Sequence, residues 1–160
     1  MKRATTLAAA AVLLMAALLS AQAPPNFAGK WTLVPDPNAP AGGGRGMAMS
    51  PAVTVVQDAS TLTMTRTSPM GEFTSTYKLD GSDSKNTLNF NGNAIEQLSK
   101  AKWDGGKLIV NTTMNFDGNA VEMSTVMSLD AAGNLNIEST RPDFQGGGAP
   151  VTTKATYKKN

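Results

Sequence analysis

The chain contains neither cysteine nor histidine among its 160 residues. Without cysteine it has no disulfide, no thiolate cluster and no lipid anchor on an N-terminal cysteine. Without histidine it has no Ser-His-Asp or Cys-His catalytic group and no histidine-ligated zinc or copper. The chemistry that remains is that of carboxylate pairs, Ser-Lys dyads, tyrosine acids and oxygen-ligated cations.

Charge is scarce, since only 16% of the residues are Asp, Glu, Lys or Arg. The 14 basic residues less Lys2 and Arg3, which belong to a predicted leader, equal the 12 acidic ones. A neutral chain lacks the cationic patch that nucleic acids and anionic membranes attract. The composition therefore predicts no nucleic-acid partner.

The first 23 residues have the pattern of a secretory signal. Lys2 and Arg3 precede an apolar run, residues 7–19, and small residues follow it up to Pro24. That run is about 13 residues long, whereas a membrane-spanning helix needs about 20. We predict cleavage after Ala21 or Ala23, a periplasmic or secreted product without a membrane span, and one monomeric domain over 24–160.

Asp-Gly and Asn-Gly turn signals recur every 11 to 15 residues from Asp80 to Asn134, which is typical of hairpins joining strands of about eight to ten residues. No helical periodicity follows the leader. We predict strands near 27–34, 52–57, 61–67, 72–79, 86–90, 95–103, 107–116, 120–129, 134–141 and 151–158.

Apolar and polar residues alternate along these segments, as in Leu108, Val110, Thr112 and Met114 against their polar neighbours. A long meander with one apolar face curls to bury it, and closure removes exposed edges. We expect an all-β, antiparallel up-and-down barrel of eight to ten strands. The Pro- and Gly-rich segments 35–50 and 142–150 are predicted as flexible loops, with a ligand-gating lid as the alternative.

The segment Phe27-x-Gly29-x-Trp31-x-Leu33 resembles the first strand of the calycin families, the lipocalins and the intracellular fatty-acid-binding proteins. In those barrels the tryptophan closes one end, which implies structural roles for Gly29 and Trp31. The turns Trp103-Asp104-Gly105 and Lys78-Leu79-Asp80-Gly81 are similar to those of exported bacterial lipocalin-like proteins of this size. That resemblance implies a fold and a compartment but no catalytic residue.

The last segment departs from fatty-acid-binding proteins, whose final strand carries an Arg-x-Tyr pair that grips the ligand carboxylate. Tyr157 matches the tyrosine, but Ala155 stands at the arginine position. The 35–50 loop also stands where those proteins have a helical lid. The resemblance therefore implies the barrel without implying fatty-acid binding.

Arg66 and Arg141 share the parity of apolar neighbours, so both are predicted to face the interior, where a bound anion would offset the cost of burying them. Alternatively each snorkels to solvent, or Arg141 packs on Trp31. Apolar side chains of the same face are candidate ligand contacts or simply core. The candidate ligand-binding set is Met64, Arg66, Tyr77, Met114, Met123 and Arg141.

The carboxylates show no pairing pattern, because aspartates sit at hairpin ends and glutamates on the polar face. The run Asp80–Ser84 lacks the spaced ligands of a calcium loop. We therefore predict no catalytic residues, no metal and no cofactor. The expected function is non-enzymatic binding of a small apolar or amphipathic ligand; the alternative is a structural or protein-interaction barrel with a filled core.

Overall fold

The computed structural model describes residues 23–36, 50–68, 71–90, 92–116, 118–143 and 147–160. Within them it is all-β, without a helix, and it has ten strands. The predicted leader lies almost wholly outside these residues, as do most of the 35–50 loop and residues 144–146. The strands are β1 (Gly29–Leu33), β2 (Ala52–Gln57), β3 (Thr61–Ser68), β4 (Gly71–Lys78), β5 (Asp83–Phe90), β6 (Asn93–Asp104), β7 (Lys107–Phe116), β8 (Asn119–Leu129), β9 (Leu135–Arg141) and β10 (Val151–Lys159).

The strands form one antiparallel sheet in the order β4-β3-β2-β1-β10-β9-β8-β7-β6-β5, in which the first strand pairs with the last. The predicted up-and-down barrel is confirmed. Because the strands alternate in direction, one end carries the start of β1 and the β2–β3, β4–β5, β6–β7 and β8–β9 turns. We call it the Trp31 end and the opposite one the Arg141 end. No helix in the described part of the chain has the length and apolar character to cross a membrane.

The largest boundary difference from the predicted strands is at β5, which begins at Asp83 instead of residue 86. Its first inward-facing side chain is Ser84, which is only 4% exposed. A serine and an asparagine at inward positions hide the apolar alternation there, so the pattern becomes visible only from Leu88 onward.

Side chains join β4 to β5, the two strands at the ends of the sheet order. Ser84 Oγ accepts a hydrogen bond from the backbone N–H of Lys78 at 2.8 Å. Asn86 Oδ1 accepts from the N–H of Thr76 at 2.8 Å, and its Nδ2 donates to the carbonyl of the same residue at 3.1 Å. These bonds satisfy part of the strand edge that a backbone ladder would otherwise satisfy.

The main hydrophobic core fills the Trp31 end of the barrel. Trp31 is 2% exposed, and its Nε1 donates to the carbonyl of Phe27 at 2.9 Å. The Phe27 ring stacks on Trp103 with centroids 5.6 Å apart. Gln57 holds the entering chain, because its Oε1 accepts from the N–H of Phe27 at 2.9 Å. The buried members of this core are Phe27, Trp31, Val53, Val55, Leu62, Met64, Tyr77, Ala101, Leu108, Val110, Met127, Leu135, Ile137, Ala155 and Tyr157.

Lys159 lies over Trp31 of this core, with its Nζ 5.4 Å from the ring centroid. A Cβ at Gly29 would lie 2.6 Å from Lys159 Cε, and the Gly29 φ of +147° is one that other residues rarely adopt. Glycine at this position therefore admits the lysine above the tryptophan.

The proposed packing of Arg141 on Trp31 is wrong. Trp31 pairs with Lys159 on β10, whereas Arg141 pairs with Val151 at the other end of the same strand. At about 3.3 Å per residue, those two positions on β10 are about 26 Å apart. Lys159 occupies the place that the sequence analysis offered to Arg141.

Aspartate side chains fix two of the turns at the Trp31 end. Asp130 Oδ1 accepts from the N–H groups of Ala132 and Asn134, both at 2.9 Å. Asp58 accepts from the N–H groups of Ser60 and Thr61 at 2.7 Å and from their hydroxyls. Led by the bond from the Ser60 backbone, these donors lower the pKa of Asp58 to about 2, as expected for a carboxylate stabilised by N–H donors.

We expect Asn86→Ala to destabilise the barrel by about 1–2 kcal/mol, because two hydrogen bonds to a strand edge are lost. Urea unfolding measures this cost. Asn89→Ala is the matched control, since Asn89 is exposed on the same strand. Equal stability of the two variants would show that the Asn86 bonds do not contribute to holding β4 and β5 together.

We expect Asp58→Ala to lower the melting temperature at neutral pH and to lose this effect in acid. The folded-state pKa of Asp58 lies below its ordinary 3.8, so its contribution is present above pH about 4 and disappears as the pH falls through about 2. Melting temperatures of both proteins across this range test the idea. A gap that stays constant down to pH about 2 would contradict it.

Candidate functional site

Six hydroxyl side chains form a continuous row across the inward faces of β5 to β10. Each lies opposite or diagonal to the next: Ser84 faces Ser99, which faces Thr112, and Ser139 faces both Thr125 and Thr153. Thr112 and Thr125 are diagonal neighbours. We call the six residues the hydroxyl belt. On these strands it separates the main core from the inward positions near the Arg141 end.

The three serines of the hydroxyl belt are buried and its three threonines are half-buried, and the belt keeps unused hydrogen-bonding capacity. Ser99 Oγ and Thr112 Oγ1 are 2.8 Å apart, and Thr125 Oγ1 and Ser139 Oγ are 3.3 Å apart. Thr153 Oγ1 donates to the carbonyl of Ser139 at 3.4 Å. In a hydroxyl pair one group donates to the other, so the accepting hydroxyl keeps a proton for a further partner. The belt thus offers hydrogen-bonding capacity to the barrel interior.

Inward-facing side chains toward the Arg141 end are of two kinds. Leu88, Met114 and Val121 are buried at 6%, 7% and 8% exposure, apart from the main core cluster. The others are only partly buried: Arg66, Phe73, Gln97, Met123 and Arg141. Solvent therefore reaches part of the inner face at this end, in contrast to the packed Trp31 end.

Arg66 and Tyr157, on different strands, are close enough for the positive charge of Arg66 to act on the Tyr157 phenol. Burial raises the pKa of the Tyr157 phenol, and the positive charge of Arg66 and a hydrogen bond from the Ser50 backbone oppose that rise. Tyr157 is 1% exposed and Ser50 5%. Tyr157 is thus a buried phenol within range of the charge of Arg66, which itself remains partly exposed.

The predicted site residues fall into three groups. Met64 and Tyr77 lie in the main core, and Met114 is buried near the Arg141 end. Arg66, Met123 and Arg141 are partly buried, and Arg141 Nε is shielded from solvent. Their roles as ligand contacts stay predictions. The structure adds Tyr157 as the partner of Arg66, which strand parity on β3 alone could not reveal.

Ala155, at the position where fatty-acid-binding proteins have arginine, is 8% exposed and packs in the main core. The cation near Tyr157 comes instead from β3, through Arg66. The sequence indicates part of the hydroxyl belt, since Thr112 and Thr125 share the parity of apolar neighbours. Ser84, Ser99 and Ser139 gave no such signal because serine at an alternating position normally indicates the solvent face.

Acidic side chains are dispersed. Within the described residues, no group of three or more Asp or Glu side chains is close enough to hold a metal ion. The lowered pKa values of Asp80 and Asp130 come chiefly from side-chain hydrogen bonds with Ser82 and Asn134 in their own turns. These carboxylates stabilise the turns in which they lie, as their positions at hairpin ends predicted.

Two cavities lie on the outer face of the barrel. The larger, of about 590 Å³, is lined by Asn111, Thr112, Thr113, Glu122, Met123, Ser124, Thr140, Arg141, Pro142 and Pro150. The smaller, of about 280 Å³, is lined by Lys102, Trp103, Asp104, Ile109 and Asn111. The exposed Asn111, Thr113 and Glu122 have the parity opposite to the buried Val110 and Val121, which places the larger cavity outside the wall.

No model of a known protein family matches the chain, and no curated protein matches it significantly.

We expect Arg66→Met to raise the pKa of Tyr157 further, because the charge that favours the phenolate is removed. The chain has two tyrosines, so a Tyr77→Phe background leaves one phenol to follow by ultraviolet absorbance during a pH titration. Lys30→Met, which removes an exposed charge from β1, is the control. An unchanged midpoint in Arg66→Met would show that the two side chains do not interact.

Proposed function

We propose that this protein is an exported, non-catalytic barrel of the lipocalin-like kind that binds a small amphipathic molecule carrying a negative charge. The observation that carries the proposal is the inner face toward the Arg141 end, where inward-facing side chains, two arginines among them, remain partly exposed. An inner face that stays accessible above a packed core has the form of a cup. Small ligands commonly bind in pockets at the mouths of β-barrels.

The chemistry of this inner face supports an amphipathic ligand. Arg66, which is partly exposed on this face, would offer a cation to an acidic group. Met123 and Phe73 are partly buried apolar neighbours on the same face, and methionine adapts to irregular apolar shapes. The hydroxyl belt would receive polar atoms farther along the ligand. Export is proposed from the pattern of the first 23 residues.

A second candidate function is a barrel that binds no small molecule and serves as a structural or interaction module. Leu88, Met114 and Val121 favour it, because they are buried at the Arg141 end and fill part of that space. The two cavities described above also lie on the outer face. The two functions differ in whether the interior admits a ligand.

We expect dodecanoate to bind more tightly than dodecanol, and Arg66→Met to abolish this preference by weakening dodecanoate about tenfold or more, since a hydrogen bond to a charged group is lost. Isothermal titration calorimetry measures the affinity of each protein for dodecanoate and for dodecanol. Lys30→Met is the matched control, because Lys30 is exposed on the outer face.

Native mass spectrometry of the protein purified from the organism that makes it provides an independent check. A retained small molecule would support the cup, and its mass would identify the compound class. A chain without added mass, together with no thermal shift from acidic amphiphiles or their neutral analogues, would leave the filled barrel as the function.

A further inference from the structure

The outer groove is the larger of the two external cavities and lies over β7, β8 and β9. Asn111 and Thr113 project from β7, Glu122 and Ser124 from β8, and Thr140 from β9. Thr112, Met123 and Arg141, which have inward parity, and Pro142 and Pro150, at the two ends of the β9–β10 connection, complete its lining. Its volume of about 590 Å³ falls within the range typical of small-molecule sites.

The side chains of the outer groove are dense in neutral hydrogen-bonding groups. An amide and three hydroxyls come from Asn111, Thr113, Ser124 and Thr140. Each provides both donor and acceptor capacity. Glu122 adds a strong acceptor, and the two proline rings add apolar surface. Asn111 also lines the smaller external cavity, so the concave surface continues across β7 toward Lys102 and Asp104 on β6.

We propose that the outer groove binds a short neutral oligosaccharide. A sugar presents closely spaced hydroxyls that donate and accept, together with C–H faces that pack on flat apolar rings. This is the complement of the lining just described. Of the five outward-facing side chains in the lining, four are neutral and Glu122 alone is charged, so the hydroxyls of a neutral ligand match most of its hydrogen-bonding groups. The extension past Asn111 fits a ligand longer than one sugar unit.

This site is distinct from the proposed interior site, because the side chains that carry it, Asn111, Thr113, Glu122, Ser124 and Thr140, face outward, although Thr112, Met123 and Arg141 of the inner face also border it. An acidic amphiphile and a neutral sugar would occupy opposite sides of the barrel wall. Arg66→Met therefore leaves sugar binding unchanged while it weakens dodecanoate. Failure of one proposal is thus distinguishable from failure of the other.

The test uses isotope-labelled protein and backbone amide shifts in NMR spectra, with maltose, cellobiose and chitobiose as neutral probes. Glucosamine and glucuronate are the charged comparators, and glucose is the single-unit comparator. We expect saturable shifts at residues 111–113 and 122–124 from at least one neutral disaccharide. Glucosamine, glucuronate and glucose are expected to bind more weakly.

Asn111→Ala, which removes the hydrogen bonds of an amide, and Glu122→Gln, which replaces a charged acceptor with a weaker neutral one, are each expected to weaken that disaccharide about fivefold to tenfold. The matched controls are Asn89→Ala and Glu72→Gln, which alter exposed residues on β5 and β4. The proposal is overturned if no neutral disaccharide gives saturable shifts there, if a charged sugar binds more tightly, or if the two groove variants bind as the controls do.

Discussion

A sheet with one apolar face must close on itself, and the rest of this structure depends on how that closure is made. Without cysteine, non-covalent interactions hold the barrel: burial, hydrogen bonds and charge contacts such as that of Lys159 with Trp31. Backbone pairing joins β1 to β10, but between β4 and β5 the side chains of Ser84 and Asn86 bond to the neighbouring backbone. Small polar residues therefore stand at inward positions of β5, where an apolar core would place larger ones.

The same constraint explains how far the sequence predicts the fold. Strands with large apolar residues at alternate positions, such as β7 and β8, were predicted close to their observed bounds because period-two alternation reports a half-buried strand directly. β5 and β6 were harder, since Ser84, Ser99 and Ala101 face inward while Leu98 is 40% exposed on the outside. On these two strands, closure of the barrel and the polar residues of its interior break the alternation of apolar and polar side chains.

The candidate site was predictable only in part, for a related reason. Parity placed Arg66 and Arg141 on the inner face, but it could not say which strands would face each other across the barrel. Closure places Arg66 of β3 within electrostatic range of Tyr157 of β10, which is 91 positions away in sequence, and no local pattern encodes that proximity. It also separates Arg141 from Trp31, because β1 and β9 both run antiparallel to β10, and Trp31 lies near the start of β1 whereas Arg141 ends β9.

The polarity of the interior bears on what the barrel is for. A barrel that needed only stability would gain from apolar side chains in place of the hydroxyl belt, since buried hydroxyls add little net stability even when they are paired. The hydroxyls that carry this cost in stability lie on β5 to β10, between the main core and the partly exposed arginines. Polar groups at that position stabilise the protein little by themselves, but they would hydrogen-bond a ligand or water entering from the Arg141 end. In the proposed function the belt, apart from Ser84, whose hydroxyl joins β4 to β5, would supply hydrogen bonds to an occupant of the interior.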